Sequence, residues 1–325
     1  MVTPMRGVLR WVVAVFLLAA AGQAHADAYP AKQVRIVVPF PPGGTADILC
    51  RLVGDKLSAT WGQSVIVDNR AGAGGNVGAE IVYRAEPDGY TLLCSPPGPL
   101  SINHNLYKTL PYDWAKFVPV TVLALVPNVL SARIDLPADT AQQLIAYAKA
   151  NPGKVTYASQ GNGSTSHLSA QMLATMAGLS LVHVPYKGEA PALVDLSAGR
   201  VDIFIGNISA ALRFEKAKQL KFLGLASRTR SPVAPEVPTA PEIGLPDLVS
   251  SAWFGVVLPP GTPDAIVQKL NTDTAAVLKL PEVRGRFLEL GAEPQGDTTA
   301  ATAAFIRAEE ARWRGVIRSA NVVLE

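Results

Sequence analysis

Short β-branched runs alternate with helical stretches along most of this chain, and that alternation leaves few folds open to it. Strand-like segments recur at Val34–Val38, Ser64–Asp68, Tyr90–Cys94, Thr156–Ser159, Leu181–Val184, Val201–Gly206, Lys221–Leu225 and Gly255–Leu258. The clearest helices read at Asp139–Ala150, Ser166–Ala177, Asp264–Leu278 and Thr298–Ala320. This order predicts an α/β architecture with largely parallel sheets. In the last helix Phe305, Ile306, Trp313, Val316 and Ile317 form an apolar stripe opposite Arg307, Glu310, Arg314 and Arg318, the pattern of a terminal helix packed on a core. The Pro-rich stretch Ser231–Pro246 reads as a surface loop whose apolar residues pack inward.

Two of these units carry a chemical signature. VRIVVPFPPGGTADILCR, from Val34 to Arg51, is a strand, a Pro-Gly-Gly turn and the start of an amphipathic helix. The first turn of a helix has N–H groups without intrahelical partners and the positive end of the macrodipole, so a carboxylate or phosphate at Gly43 to Thr45 is stabilised there. Val155 to Met172 repeats the plan: VTYAS as a strand, QGNGS as a turn, and a helix bearing Leu168, Met172 and Met176 on one stripe. Two such starts about one domain apart predict a ligand held between two lobes. Asp47 stands in the first turn of the opening helix, where it complements the dipole by itself; its functional alternative is a partner for a ligand ammonium or hydroxyl.

The first residues carry Arg6 and Arg10, an apolar run from Trp11 to Ala21 and the cleavage pattern Ala24-His25-Ala26, which reads as a secretory signal peptide cut after Ala26. The run is too short for the roughly 20 residues of a membrane-spanning helix. Cleavage removes two of 29 basic residues against 26 acidic ones, leaving a net charge of +1, with no basic footprint for nucleic acid or an anionic membrane. About 300 residues remain, enough for two domains.

Other motifs are weaker. NRAGAGGNVGAEIV, Asn69 to Val82, has the spacing G-x-G-x-x-x-G and no well-placed ribose acid, so it reads as a tight loop into a helix rather than a dinucleotide site. PPGGTAD is not a P-loop. His104, His167 and His183 are isolated from metal-ligand spacings, and no metal or cofactor is expected. Ser159, Ser164 and Ser166 lie near His167, so an exported hydrolase using Ser164 or Ser166 with His167 is the competing class, although no G-x-S-x-G elbow is present. Cys50 and Cys94 each fall in an apolar element; export permits a disulfide, but the expectation is two buried thiols.

The stretches YPAKQVRIVVPFPPGGTAD, GQSVIVDNRAGAGGNVGAE, EPDGYTLL, NPGKVTYASQGNGSTSHLSAQM, VHVPYKGEAPALVDLSAGRVD, VPTAPEIGLP and FGVVLPPGTPDAIVQKLN resemble, in order and over nearly the whole mature chain, the Bug-type, TctC-like extracytoplasmic solute receptors of tripartite tricarboxylate transporters. The resemblance implies a type II periplasmic-binding-protein fold, two α/β lobes around a ligand cleft, in a periplasmic monomer that binds a small organic acid and presents it to a membrane permease; a receptor that feeds a membrane sensor fits the same residues. It implies one lobe of 27–127 with 253–325 and a second of 128–252, with crossings near Val126–Val129 and Ser250–Phe254. The ligand loops map onto Phe40, Gly43, Gly44, Thr45 and Asp47, and onto Ser159, Gly161, Gly163, Ser164, Thr165 and His167, with Ser95 and Tyr186 completing the cleft. The chain departs from the common pattern at Cys50, Cys94 and the Pro-rich SPPGPLS after Cys94, which predicts an altered pocket wall.

Overall fold

The computed structural model describes residues 29–319, so the signal-peptide reading and its cleavage site lie outside the described residues. Strands β1 (Val34–Val38), β2 (Val65–Asn69) and β3 (Thr91–Ser95) lie in the order β2-β1-β3 and run parallel. Helices α1 (Thr45–Trp61) and α2 (Asn76–Tyr83) make the connections. In the other half β5 (Thr156–Ser159), β6 (Val182–Pro185) and β7 (Ile203–Asn207) are parallel in the order β7-β5-β6, connected by α4 (Thr165–Ala177) and α5 (Glu189–Ser197). The short helix α3 (Ala141–Ala150) precedes β5, and α6 (Ile208–Lys216) leads from β7 to β8 (Leu220–Leu225).

The two halves are joined through β4 (Val118–Arg133), a strand of 16 residues that the sequence pattern does not reveal. Its first part pairs with β9 (Ser251–Leu258) from Val118 to Pro127; from Asn128 onward it pairs with β7 and β8 instead. All of these pairings, and that of β3 with β9, are antiparallel, because one long strand leaves the first half and β9 brings the chain back. The sheets are therefore mixed rather than largely parallel. Pro119 and Pro127 read as interruptions, yet Pro119 sits at a register shift and Pro127 at the change of partner, two places where a ladder tolerates a missing N–H.

At that change of partner Asn128 Nδ2 donates to Ser250 Oγ at 2.8 Å, Ser169 Oγ of α4 donates to the same hydroxyl at 2.7 Å, and Asn128 N–H donates to Ser250 O at 3.1 Å. This polar knot ties both crossings to the helix that starts at the second glycine turn. The chain closes with α7 (Asp264–Lys279), α8 (Pro281–Glu289), the two-residue strand β10 (Glu293–Pro294) on β4, and α9 (Thr299–Ser319). Trp313 of α9 is fully buried with Ile306 and Ile317, so this amphipathic helix does pack on a core. Ala234, Val237, Ala240, Ile243 and Leu245 are buried too, which makes the Pro-rich stretch a packed loop. Among the described residues no helix is long and apolar enough to cross a membrane.

Candidate ligand cleft

Gly43 leaves β1 with φ +82, and Gly44 caps α1 through extended backbone without a side-chain bond. The turn is held from inside the helix. Asp47 Oδ2 accepts from Gly43 N–H at 3.0 Å, and its Oδ1 lies 2.8 Å from the Arg51 guanidinium one turn on. Burial alone would raise the Asp47 carboxyl, but Arg51 and the Gly43 N–H outweigh it and hold the group below the usual carboxylate range. Both the structural role expected for Asp47 and the close backbone turn thus have a concrete form.

The anion position at the start of α1 is already filled. Thr45 N–H and Oγ1–H donate to Glu189 Oε2 at 2.9 and 2.8 Å. Glu189 is the first residue of α5, in the other half of the molecule, and its Oε1 accepts from Asn207 N–H at 3.1 Å. The sequence predicts a ligand carboxylate at Gly43–Thr45; the carboxylate found on Thr45 is the protein's own Glu189. Burial raises the Glu189 pKa against the opposing hydrogen bonds of Thr45 and Asn207. Nothing in the sequence singles out Glu189, because an acid in the first turn of a helix is ordinary dipole complementation, and Thr45 is 144 residues away.

The second turn is internally bonded as well. Ser164 caps α4 by accepting from His167 N–H at 3.3 Å and donates to Gly161 O at 2.6 Å, while Gln160 N–H donates to Ser166 Oγ at 2.8 Å. Gly163 N–H donates to His167 Nδ1 at 3.3 Å, which places the imidazole proton on Nε2. His167 and Tyr157 both stack on His183, with ring centres 4.3 and 4.7 Å from it and 6.4 Å from each other. His183 Nε2 is 2.7 Å from Ser159 Oγ. Burial drives the pKa of His167 down to about 4, with His183 adding to it, and burial does the same to His183. Two neutral rings therefore prop the turn from beneath. Neither the Ser164 nor the Ser166 hydroxyl hydrogen-bonds the His167 ring, so the nucleophile–base hydrogen bond that a hydrolase needs is missing from these residues.

Two adjoining cavities open where the halves meet. The inner one, about 20 Å³, is lined by Phe40, Gly44, Thr45, Asp47, Pro96, Gln160, Glu189, Asn207 and Phe254. The outer one, about 270 Å³, is lined by Gly72, Ala73 and Gly74 of the first half and by Gln160, Gly161, Asn162, Tyr186 and Lys187 of the second. Gln160 borders both. Ser95 is fully buried with its hydroxyl on Pro96 O, and Tyr186 turns its hydroxyl onto Asp195 at 2.8 Å, with burial pushing its pKa up to about 12. Gly43, Ser159, Gly163, Ser164, Thr165 and His167 are not among the residues that line these two cavities. The loop Gly72–Gly74, read from sequence only as a tight turn, is a wall of the outer cavity, and Ala73 adopts φ +48 there.

The expectation of two free thiols is corrected. Cys50 and Cys94 form a disulfide that staples α1 to β3, with Cα atoms 6.9 Å apart. Cys50 lies on the buried side of α1, above the sheet in which β3 is the neighbour of β1, a proximity created by strand order and invisible in the spacing.

Residues 49–322 match the family model described as the tripartite tricarboxylate transporter family receptor. The chain belongs to this receptor family. It is 38% identical to Protein BugT of Bordetella pertussis over 318 residues, 97% of this chain and 98% of that relative. Among solved structures it resembles an R. palustris protein with adipate at 40% identity (TM-score 0.89, covering 91% of this chain and 99% of that one). It also resembles MatC from Rhodopseudomonas palustris with bound malate at 34% identity (TM-score 0.85, covering 89% and 100%). The periplasmic binding protein BugD is 33% identical with a TM-score of 0.88, covering 91% and 100%. The tripartite tricarboxylate transporter receptors are periplasmic solute-binding proteins of two-lobe α/β fold, and the family is one of receptors, not enzymes. The hydrolase alternative is set aside on both grounds, geometry and family.

Proposed function

We propose that this protein captures a small organic acid in the cleft between two lobes and delivers it to the membrane permease of a tripartite tricarboxylate transporter. The observation that carries the reading is the outer cavity, whose walls come from glycine-rich loops of both halves and include the exposed residue Lys187. Its volume of about 270 Å³ suits a small acid, and relatives of the same fold were solved with adipate and with malate. In this proposal residues 27–127 with 253–325 form one lobe and 128–252 the other, a division supported by the change of partner along β4. Gly161 and Tyr186 line the outer cavity that takes the acid, and Phe40, Gly44, Thr45 and Asp47 line the inner cavity beside it. Gly43, Ser159, Gly163, Ser164, Thr165 and His167 shape the two loops, and Ser95 is buried beside Pro96 of the inner cavity. Capture is binding and lobe closure without chemistry, since a ligand that touches both lobes only when they close shifts that equilibrium by its differential affinity.

Export follows from cleavage after Ala26, and mass spectrometry of the periplasmic protein should find Asp27 at its N-terminus. A thermal-shift screen of residues 27–325 against organic acids tests the function. An acid present at 100 times its Kd should stabilise the protein by about 2.7 kcal/mol. A panel of mono-, di- and tricarboxylates and amino acids that leaves the melting curve unmoved would refute it.

A further inference from the structure

Two buried acidic side chains, Glu189 and Asp47, stand in the otherwise largely apolar lining of the inner cavity, at a depth where a charge is expensive to leave uncompensated. Glu189 is 5% exposed, and among the described residues no cation pairs with it, whereas the neighbouring Asp47 is balanced by Arg51. Its partners are neutral donors: Thr45, through N–H and hydroxyl, and Asn207, through N–H and, at 3.4 Å, Nδ2. That last bond fixes the Asn207 amide, which lines the cavity, and leaves its carbonyl oxygen Oδ1 buried without a partner. A buried acceptor left unpaired and a buried carboxylate without a cation both cost free energy. A cation with several N–H donors would satisfy the two together. The space is also of the right size: about 20 Å³ admits one water-sized group, which an ammonium is and a carboxylate is not.

We propose that the inner cavity is an ammonium subsite and that the protein's ligand is an amino-substituted carboxylate, its protonated amine seated against Glu189 and Asn207 and its carboxylate in the outer cavity near Lys187. This rests on the carboxylate-receptor reading above and narrows it. A dicarboxylate entering the same cleft would place a second negative charge beside Glu189, with Thr45 and the start of α1 already engaged by that side chain. Glu189 is thereby the specificity-determining residue of the cleft, selecting against plain dicarboxylates by repulsion as well as for amines by attraction.

Calorimetry on residues 27–325 near neutral pH tests this with matched pairs, aspartate against malate and γ-aminobutyrate or ε-aminocaproate against succinate or adipate. In at least one pair the amino compound should bind about tenfold or more tighter than its dicarboxylate partner. In Glu189→Gln, which keeps the shape and removes the charge, that preference should shrink by about tenfold while ligand-free melting shows the variant folded. Wild-type protein that binds the dicarboxylates as tightly as, or more tightly than, the amino compounds overturns the subsite and leaves the receptor reading standing. Tighter dicarboxylate binding with proton uptake would identify Glu189 as a neutral acid donating to the ligand, which overturns the ammonium subsite in the same way. An unchanged preference in folded Glu189→Gln also overturns it, and if that variant fails to fold the wild-type ranking decides. Absence of binding by any acid of either class removes the receptor reading and the subsite with it.

Discussion

Gly188 stands where the two lobes pack closely across the cleft, opposite Pro41. It precedes Glu189, its backbone is extended with φ 162, and a methyl group built on it would lie 2.6 Å from Pro41 Cδ and 3.2 Å from Pro41 Cγ across the cleft. Alanine adopts that backbone without strain, so Gly188→Ala leaves each half as stable as before and acts only where the halves meet. An ordinary carbon–carbon contact is about 3.5–4.0 Å, so roughly 1 Å must be found. Pro41 lies in the rigid run Pro39-Phe40-Pro41-Pro42 and cannot rotate away, which leaves separation of the lobes as the main relief. Overpacking of this size costs about 1–3 kcal/mol. Charged to the closed state alone, it lowers the closed population, and with it the apparent affinity, by roughly 5- to 150-fold. Calorimetry with the best acid from the screen measures the affinity, and ligand-free thermal melting checks that the fold is intact. Wild-type affinity in a folded Gly188→Ala protein would show that the ligand does not need the two lobes this close together, and the cleft assignment would fail.

The stacked histidines make the fold acid-sensitive: His167 is neutral in the fold with a pKa of about 4 but titrates near 6.5 when unfolded, so its contribution is complete above pH 6.5 and declines as pH falls toward 4. Denaturant unfolding at pH 7 and pH 5 should differ by about 2 kcal/mol from His167 alone, with His183 adding in the same direction, and a flat profile would contradict the buried neutral stack. Replacing Cys50 and Cys94 together by alanine opens a cross-link spanning 44 positions and should cost up to about 4 kcal/mol on loop-entropy grounds, seen as a lower denaturation midpoint; unchanged stability would refute the staple. Asp47→Asn keeps an acceptor for Gly43 N–H and should cost less than about 1 kcal/mol, whereas Asp47→Ala leaves that N–H unpaired and should cost about 1–3 kcal/mol; equal effects in chemical denaturation would remove Asp47 from its role in the turn.

What could be read from the residues was local. The run Val34–Val38 and the run Thr156–Ser159 are strands with the bounds that β-branching and the following glycine turns gave them, and the helices after those turns begin where their caps place them. Strand β4 was obscured because Pro119 and Pro127 are ordinarily strand breakers, and only the paired chain shows that each sits where its missing N–H does no harm. Glu189 and Asn207 belong to the cleft through contacts that close over long separations, and nothing in GEAP or IGNI marks them. The same holds for the disulfide, which depends on β3 lying next to β1. Glycine loops were recognised as tight turns on sight; that Gly72–Gly74 faces Gln160–Asn162 across a cavity is a property of the assembled halves.

Capture between two lobes is tested most directly by a crystal structure of residues 27–325 with the acid that gives the largest thermal shift. That acid should lie in the outer cavity, in contact at once with the Gly72–Gly74 loop of one half and with Gln160 to Asn162 or Lys187 of the other. Density for the ligand against residues of one half alone, or at a site away from these loops, would contradict capture in this cleft.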